Sequence, residues 1–134
     1  KKGLLIFKDH PIIGTGFDTF GDSATLSYPS PIYEQYHIGE GIHVYSDNQY
    51  IQVIAQTGIV GVLLFAFFLL NMLYMIWKKR KEQHKMAMAL LAILLGIYLS
   101  GFYYNIWEVD VVDLFFFPML ALLLPLKKFE PENK

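Results

Sequence analysis

The sequence contains no cysteine. Disulfides, thiolate metal sites and a cysteine nucleophile are therefore excluded, and the redox compartment stays open. Between Lys8 and Lys78 there is neither lysine nor arginine. A site for a phosphorylated ligand normally uses Arg, Lys or a metal ion to offset the anionic charge. A cationic clamp for such a ligand must therefore lie outside this stretch or arrive as a divalent ion.

The chain also lacks the polarity of an ordinary soluble domain. Of its 134 residues, 54% are apolar and 16% are aromatic, which favours the bilayer as solvent. The first residues are Lys1, Lys2 and Gly3, with no Met and no signal-peptide pattern. We expect the chain to be a piece of a longer protein.

Three apolar stretches fit transmembrane helices, at residues 58–77, 86–104 and 111–126. Between the first two, residues 78–85 carry five cations against one acid, and short loops this basic stay on the cytoplasmic side. Topology explains this cluster without a nucleic-acid or anionic-lipid site, and we expect no nucleic-acid partner. The sequence thus predicts an all-α membrane protein in which residues 1–57 form a long extracytoplasmic loop and residues 127–134 a cytoplasmic tail.

The predicted loop is acidic and rich in aromatic residues. Residues 8–50 hold six acids against Lys8 alone. Leu4 to Phe7 is too short to span a bilayer and fits the end of an interfacial helix, which His10-Pro11 should terminate. Residues 22–42 have the proline, glycine and serine content of an irregular loop rather than of a helix.

A helix start is predicted at the junction between this loop and the first span. Ser46 and Gln49 have the spacing of a capping box, so the helix should begin near Asp47. Beyond it, Asn48, Gln52 and Gln56 recur every four residues and therefore share one face. A polar stripe thus leads directly into a membrane helix.

Several side chains in the loop could carry chemistry. His43 is a candidate acid or base, since histidine changes charge near neutral pH, although a solvated loop histidine is the plainer interpretation. His10, His37 and His43 match no metal-binding spacing, so we expect no metal and no cofactor. Asp47 is a more specific candidate, but Asp is also favoured as a helix cap.

Other polar positions have equally open roles. Gly14 and Gly16 form a G-x-G without the third glycine of a dinucleotide fingerprint, so they indicate positive φ or a close approach to a ligand. Asp110 and Asp113 share one face at the start of the third span. Asp113 is either an ionisable group at membrane depth facing a partner, or a cap if the helix starts later.

Two motifs together resemble the C-terminal part of the O-antigen ligase and polymerase family. The first is residues 10–20, HPIIGTGFDTF, which is similar to the family's P-x-x-G-x-G-x-x-x-F stretch at the start of its large outer loop. The second is residues 46–51, SDNQYI, followed by residues 55–61, AQTGIVG, which resemble the end of that loop and the entry to the next span. Their order and separation make the pair more specific than either alone.

The resemblance implies a multi-span bacterial glycosyltransferase without a required metal. Such enzymes act in the cytoplasmic membrane, on its outer face, on oligosaccharides carried by undecaprenyl diphosphate. They polymerise repeat units or ligate a finished glycan to an acceptor. The expected partners are this lipid-linked oligosaccharide, membrane lipids and some eight or more upstream spans of the same protein, without which the three-span piece would be inactive.

The sequence departs from the ligase pattern at two positions. Asp47 stands where many ligases have His, and Gln56 where many members have Glu. We therefore favour a polymerase over a ligase, with Asp47 or His43 as the catalytic group. The expected substrate-binding residues are Asn48, Tyr50, Gln52, Gly14 and Gly16. The alternative is a non-catalytic membrane module that binds glycan or assists polysaccharide export.

Overall fold

The computed structural model describes residues 2–28, 30–39 and 46–123. These residues form six α-helices and one 3-10 turn, and they contain no strand. The helices are α1 (Lys2–Asp9), α2 (Ser23–Ser27), α3 (Pro31–Gln35), α4 (Gln49–Lys79), α5 (His84–Ser100) and α6 (Asp110–Leu123), with the 3-10 turn at Ile106–Glu108. The all-helical prediction is confirmed for this part of the chain. The end of the predicted third span and the tail at residues 127–134 lie outside it.

Within the described residues, α4 is the one helix that is both long and apolar enough to cross a membrane. It has 31 residues, whereas α5 is an apolar helix of 17 residues. A helix rises about 1.5 Å per residue, so the 31 residues exceed the roughly 20 needed to cross a bilayer. By length and composition α4 could cross a membrane, whereas the predicted second and third spans remain predictions.

The second half of α4 packs with α5 and α6 around one apolar core. Its fully buried side chains include Ile76 from α4, Leu90 and Leu94 from α5, and Leu123 from α6. Tyr98 crosses this core and donates its hydroxyl to the carbonyl of Leu69 at 2.5 Å. At the C-terminal end of α4, the lysines after Trp77 form a polar turn in which Lys79 and Glu82 pair at 2.6 Å.

The segment before α4 has a separate small core. Ile6, Phe20, Tyr33, Ile38 and Ala55 form its buried centre, so α1 and the following loops are held against the start of α4. The Tyr33 hydroxyl accepts a hydrogen bond from the Gly21 amide at 2.9 Å and lies 3.0 Å from Thr25 Oγ1. A buried tyrosine with a satisfied hydroxyl fixes the loop as a defined structure.

Two predictions about this segment have clear outcomes. Helix α1 ends at Asp9, immediately before His10-Pro11, as expected. The expectation of an irregular loop at residues 22–42 was wrong in part, because α2 and α3 lie there. The Asp22 carboxylate caps α2 by accepting a hydrogen bond from the Thr25 amide. Ser30 caps α3, and Pro31 lies in the first turn of that helix. Local capping therefore forms two short helices, although the amino-acid composition of the segment had indicated a loop.

Candidate functional site

The helical backbone of α4 is interrupted at Gly58, where the preceding loop packs against the helix. Gly58 has φ 61° and ψ −159°, which are not helical values. A break of this kind removes backbone hydrogen bonds on both sides, and buried backbone groups need replacement partners. The partners come from residues 11–16, which we call the strap.

The strap supplies hydrogen bonds to both sides of the break. The amides of Thr15 and Gly16 donate to the carbonyls of Ala55 and Gln56, at 3.2 and 2.8 Å. The amides of Ile59 and Val60 donate to the carbonyls of Pro11 and Ile12, at 2.9 and 3.2 Å. The broken helix is thus joined through a second segment of the chain.

This arrangement explains the G-x-G of the sequence. Gly14 and Gly16 have φ of 67° and 103°, so the predicted positive φ is confirmed. A Cβ on Gly14 would overlap the backbone of Gln56 and Thr57, and one on Gly58 would overlap Ile12. The close approach at Gly14 is therefore to α4, and its predicted role as a substrate-binding residue stays a prediction.

Buried amide side chains lie on the strap side of α4. Gln52 and Gln56 are 5% and 4% exposed, so the predicted polar stripe faces protein. Gln52 Nε2 donates to Glu108 Oε1 at 2.5 Å. Gln56 Nε2 donates to the Phe20 carbonyl at 3.0 Å and to Asp22 Oδ2. Each amide therefore ties α4 to a carboxylate from another part of the chain.

These pairs border a cleft of about 470 Å³, which we call the amide cleft. The polar part of its lining contains three amides, three carboxylates and two hydroxyls, which belong to Gln49, Gln52, Gln56, Asp18, Asp22, Glu108, Ser23 and Thr57. The apolar part includes Phe17 and Phe65. The Gln49 Oε1 accepts the Trp107 amide at 3.2 Å, which adds the 3-10 turn to the wall. Gln52, predicted as substrate-binding, lies at this cleft.

The helix cap at the mouth of α4 is Asn48, and the predicted capping box was wrong. Asn48 Oδ1 accepts from the Ile51 amide at 2.9 Å. Ser46 instead donates to the Asn48 carbonyl at 3.3 Å, while Gln49 points to Gln52 and Trp107. The box spacing was present, but the asparagine two residues later reaches the free backbone amide.

Asp47 is therefore not the cap of α4. Its side chain is exposed and has no hydrogen-bond or ion-pair partner among the described residues. It lines an open groove of about 610 Å³ with Asn48, Phe102, Tyr103 and Tyr104, which we call the aromatic groove. Asn48 fixes this groove to α4, since its Nδ2 donates to the Phe102 carbonyl at 2.9 Å.

Tyr50 has a structural contact. Its hydroxyl donates to the Tyr98 carbonyl at 2.6 Å, and its ring lies 4.8 Å from that of Phe102. Tyr50 therefore anchors α4 to α5 and supports the aromatic groove from behind. Its predicted contact with substrate stays a prediction.

The other candidates are dispersed. His43 lies outside the described residues. His10 and His37 are exposed, at the end of α1 and after α3. Helix α6 begins at Asp110, so Asp113 lies inside its first turn, and its Oδ1 is buried without a hydrogen-bond partner among the described residues. Among the described candidates, neither His10, His37 nor Asp113 lines either cleft.

Sequence reasoning missed the two carboxylates that hold the amides. Asp22 and Glu108 are 34 and 56 residues from their glutamine partners, and no spacing rule connects such distant positions. The available signal was the glutamine stripe itself, because buried amides require partners. No group of three or more His, Asp or Glu side chains in the described ranges could hold a metal ion.

Comparison with known proteins bears on this region of the chain. The family model described as O-Antigen ligase matches residues 1–66, a range that contains the strap, Asp47 and the break at Gly58. No curated protein and no solved structure shows a significant match to the chain. Residues 1–66 are thus similar to the O-antigen ligase family, and this match together with the long apolar helix supports, at a coarse level, a membrane protein with a glycosyltransferase-like role.

Proposed function

We propose that this protein polymerises lipid-linked oligosaccharides, with Asp47 as the general base that activates the acceptor sugar. The substrate is an oligosaccharide carried on undecaprenyl diphosphate, and the polymerase reaction is favoured over ligation. Helices α4, α5 and α6 span the membrane, with residues 78–85 in the cytoplasm and the strap, both clefts and Asp47 on the outer face.

The observation that carries the proposal is that Asn48, and not Asp47, caps α4. Asn48 makes the capping hydrogen bond at 2.9 Å, which leaves the neighbouring carboxylate without a structural task. An exposed aspartate beside a groove of aromatic rings has both a free acceptor oxygen and a surface on which a sugar ring can stack. The family match covers this position.

The chemistry requires one proton transfer and one displacement at carbon. Asp47 accepts the proton of the acceptor hydroxyl as that oxygen forms a bond to the anomeric carbon of the donor. The bond between the anomeric carbon and the diphosphate oxygen breaks, and the lipid diphosphate leaves with the electron pair. General base catalysis by a positioned side chain contributes about 10²–10⁴-fold, and holding the two sugars in line contributes through orientation.

The aromatic groove supports the positioning role. Phe102, Tyr103 and Tyr104 are 56%, 73% and 65% exposed, which is unusual for three consecutive large rings that follow an apolar helix. Their faces suit the C–H faces of pyranose rings, and the tyrosine hydroxyls add hydrogen-bonding partners. The groove therefore has the character of a sugar platform beside the proposed base.

The charge distribution limits what these residues can do with the diphosphate. All cations after Lys8 lie at or beyond Lys78, at the opposite end of α4 from Asp47. A leaving diphosphate needs Arg or Lys nearby. We propose that upstream spans of the same protein supply them, while this chain supplies the acceptor side of the reaction.

The preference for a polymerase rests on the residue at position 47. An imidazole and a carboxylate place their acceptor atoms at different distances from the backbone, and they differ in charge when unprotonated. Asp47 in place of the histidine that many ligases carry therefore indicates a different acceptor geometry. His43, four residues upstream, is the second candidate for the base.

The test is polymer length in cells that express variants of the full-length protein. Asp47→Ala and Asp47→Asn should abolish chain extension at unchanged membrane levels of protein, because both remove the proton acceptor. Asp110→Asn, a change of another exposed carboxylate, should leave polymer length unchanged. Normal polymer in Asp47→Ala together with a shortened polymer in His43→Ala would move the role to His43. Normal polymer in both variants would instead favour the non-catalytic glycan-binding module.

A further inference from the structure

We infer that the amide cleft is a second carbohydrate subsite, selective for sugar rings that are uncharged or carry an amino group. The inference rests on the proposed function, since it assumes that the ligand is a glycan. It is separate from the aromatic groove, with which the amide cleft shares no lining residue. The cleft's volume of about 470 Å³ lies in the range of about 300–1,000 Å³ that is usual for small-ligand sites.

The polar lining of the cleft is preorganised. Gln49, Gln52 and Gln56 are 6%, 5% and 4% exposed, and each is held by hydrogen bonds to another part of the chain. Gln49 Nε2 also donates to Gln52 Oε1 at 3.3 Å, which links two of the amides to each other. Fixed amides at the edge of a cavity can bind hydroxyl groups with little loss of side-chain entropy.

One acceptor in this lining has no protein partner. Gln56 directs its Nε2 to Phe20 and Asp22, whereas its Oε1 accepts no hydrogen bond from the described residues, although the side chain is 4% exposed and lines the cleft. An acceptor without a protein partner at the edge of a cleft can accept a hydrogen bond from water or from a ligand. A hydroxyl or ammonium donor of a bound sugar would satisfy it.

The charge of the cleft sets its selectivity. Asp18, Asp22 and Glu108 line it, and none of the lysines and arginines in the described part of the chain does. Carboxylates accept hydrogen bonds from hydroxyl and ammonium groups, but they repel the carboxylate of a uronic acid and the phosphate of a phosphorylated sugar. We therefore expect the amide cleft to distinguish sugars by their charge more strongly than by their stereochemistry.

An aromatic ring at the entrance supplies the apolar contact. Phe17 is 81% exposed at the lip of the cleft, next to Asp18. An exposed phenylalanine is costly in water, and it gains contact area when a pyranose ring covers it. Because Phe17 is so exposed, its removal changes binding without removing core packing.

The experiment measures binding without turnover. The chain in lipid nanodiscs is titrated with glucose, glucosamine and glucuronate by saturation-transfer difference NMR. We expect glucose and glucosamine to bind, and glucuronate to bind about tenfold more weakly because of like-charge repulsion. Asp18→Asn should reduce this discrimination, and asparagine suits the backbone at that position, where φ is 56°.

Variants on the two surfaces separate the subsites. Phe17→Ala should weaken glucose binding about fivefold by loss of the aromatic contact, whereas Tyr103→Ala in the aromatic groove should leave the difference between glucose and glucuronate binding unchanged. Equal binding of glucuronate and glucose, or no binding of any of the three sugars, would overturn the inference. Either result leaves the Asp47 test untouched, because that test measures polymer in cells and this one measures occupancy of a different cleft.

Discussion

Gly16 donates its backbone amide to the carbonyl oxygen of Gln56 at 2.8 Å, across the break that Gly58 makes in α4. This contact links the P-x-x-G-x-G stretch to the helix entry, the two motifs that carry the family resemblance. The residues in contact are 40 or more positions apart in sequence, and the two motifs form one unit in space. The strap holds the broken helix in the position that presents Asp47 on one side and the amides on the other.

Gly14→Ala is expected to destabilise the protein strongly. Its φ of 67° is unfavourable for alanine, and the added Cβ would overlap the backbone of α4. Backbone strain alone costs about 1–3 kcal/mol, and the overlap adds to it. Thermal unfolding in detergent, followed by circular dichroism, measures the effect.

Gly96→Ala is the matched control for that substitution. Gly96 lies within α5, and nothing lies within 4 Å of an added Cβ. Alanine should leave stability unchanged or raise it by up to about 1 kcal/mol, since glycine is unfavourable inside a helix. Equal unfolding temperatures for both variants would contradict the role assigned to the strap.

Gln56→Glu is expected to destabilise the start of α4, because the carboxylate loses the donor to the Phe20 carbonyl and faces the Asp22 carboxylate. The cost should be about 1–3 kcal/mol, the penalty for unsatisfied buried polar groups. Asp22→Asn should restore part of the stability in the double variant, since asparagine still caps α2 and its Nδ2 can donate to Glu. Chemical unfolding of the four proteins measures the coupling, and strict additivity would show that residues 22 and 56 do not interact.

Asn48→Ala and Asp47→Ala should differ in stability although they are neighbours. Loss of the cap at Asn48 should cost about 0.5–2 kcal/mol, and the contact with Phe102 is lost as well. Asp47→Ala should stay within about 0.5 kcal/mol of the wild type, as exposed positions without partners usually do. A large loss of stability in Asp47→Ala would return Asp47 to a structural role.

The pKa of Tyr36 should lie above the ordinary value for tyrosine. Its hydroxyl donates to Asp9 Oδ2 at 2.7 Å, and this hydrogen bond to a carboxylate raises the pKa of Tyr36. A raised folded-state pKa means that this contact stabilises the fold fully below the unfolded pKa of about 10, and that the contribution is lost as pH rises through the folded pKa. Ultraviolet difference titration against Tyr36→Phe measures it. Asp9→Asn should lower the pKa, and an unchanged titration in that variant would reject the assignment.

The sequence predicted local features better than distant pairings. Proline at position 11 and the glycines at 14 and 16 have local conformational consequences, so the end of α1 and the positive φ values were accessible. The break at Gly58 was not, because the apolar pattern of α4 continues through it. Its cause is the strap, more than 40 residues upstream.

The same difference between local features and distant pairings applies to the candidate site. Asp47 was identified from its position in a motif, but the choice between base and cap depended on which side chain reaches the Ile51 amide, and only the structure decides that between Ser46, Asp47 and Asn48. The amide cleft depends on Asp22 and Glu108, whose pairing with glutamines follows from the tertiary fold. Periodicity placed Gln52 and Gln56 on one face, without showing what that face contacts.

The most direct test of the account is glycan polymerisation by the purified full-length protein supplied with lipid-linked repeat units. We predict that Asp47→Asn lowers the rate of chain extension by about 10²-fold or more, the contribution of a general base, while its unfolding temperature matches that of the wild type. A variant that is equally stable and extends chains at the wild-type rate would contradict the central claim that Asp47 activates the acceptor.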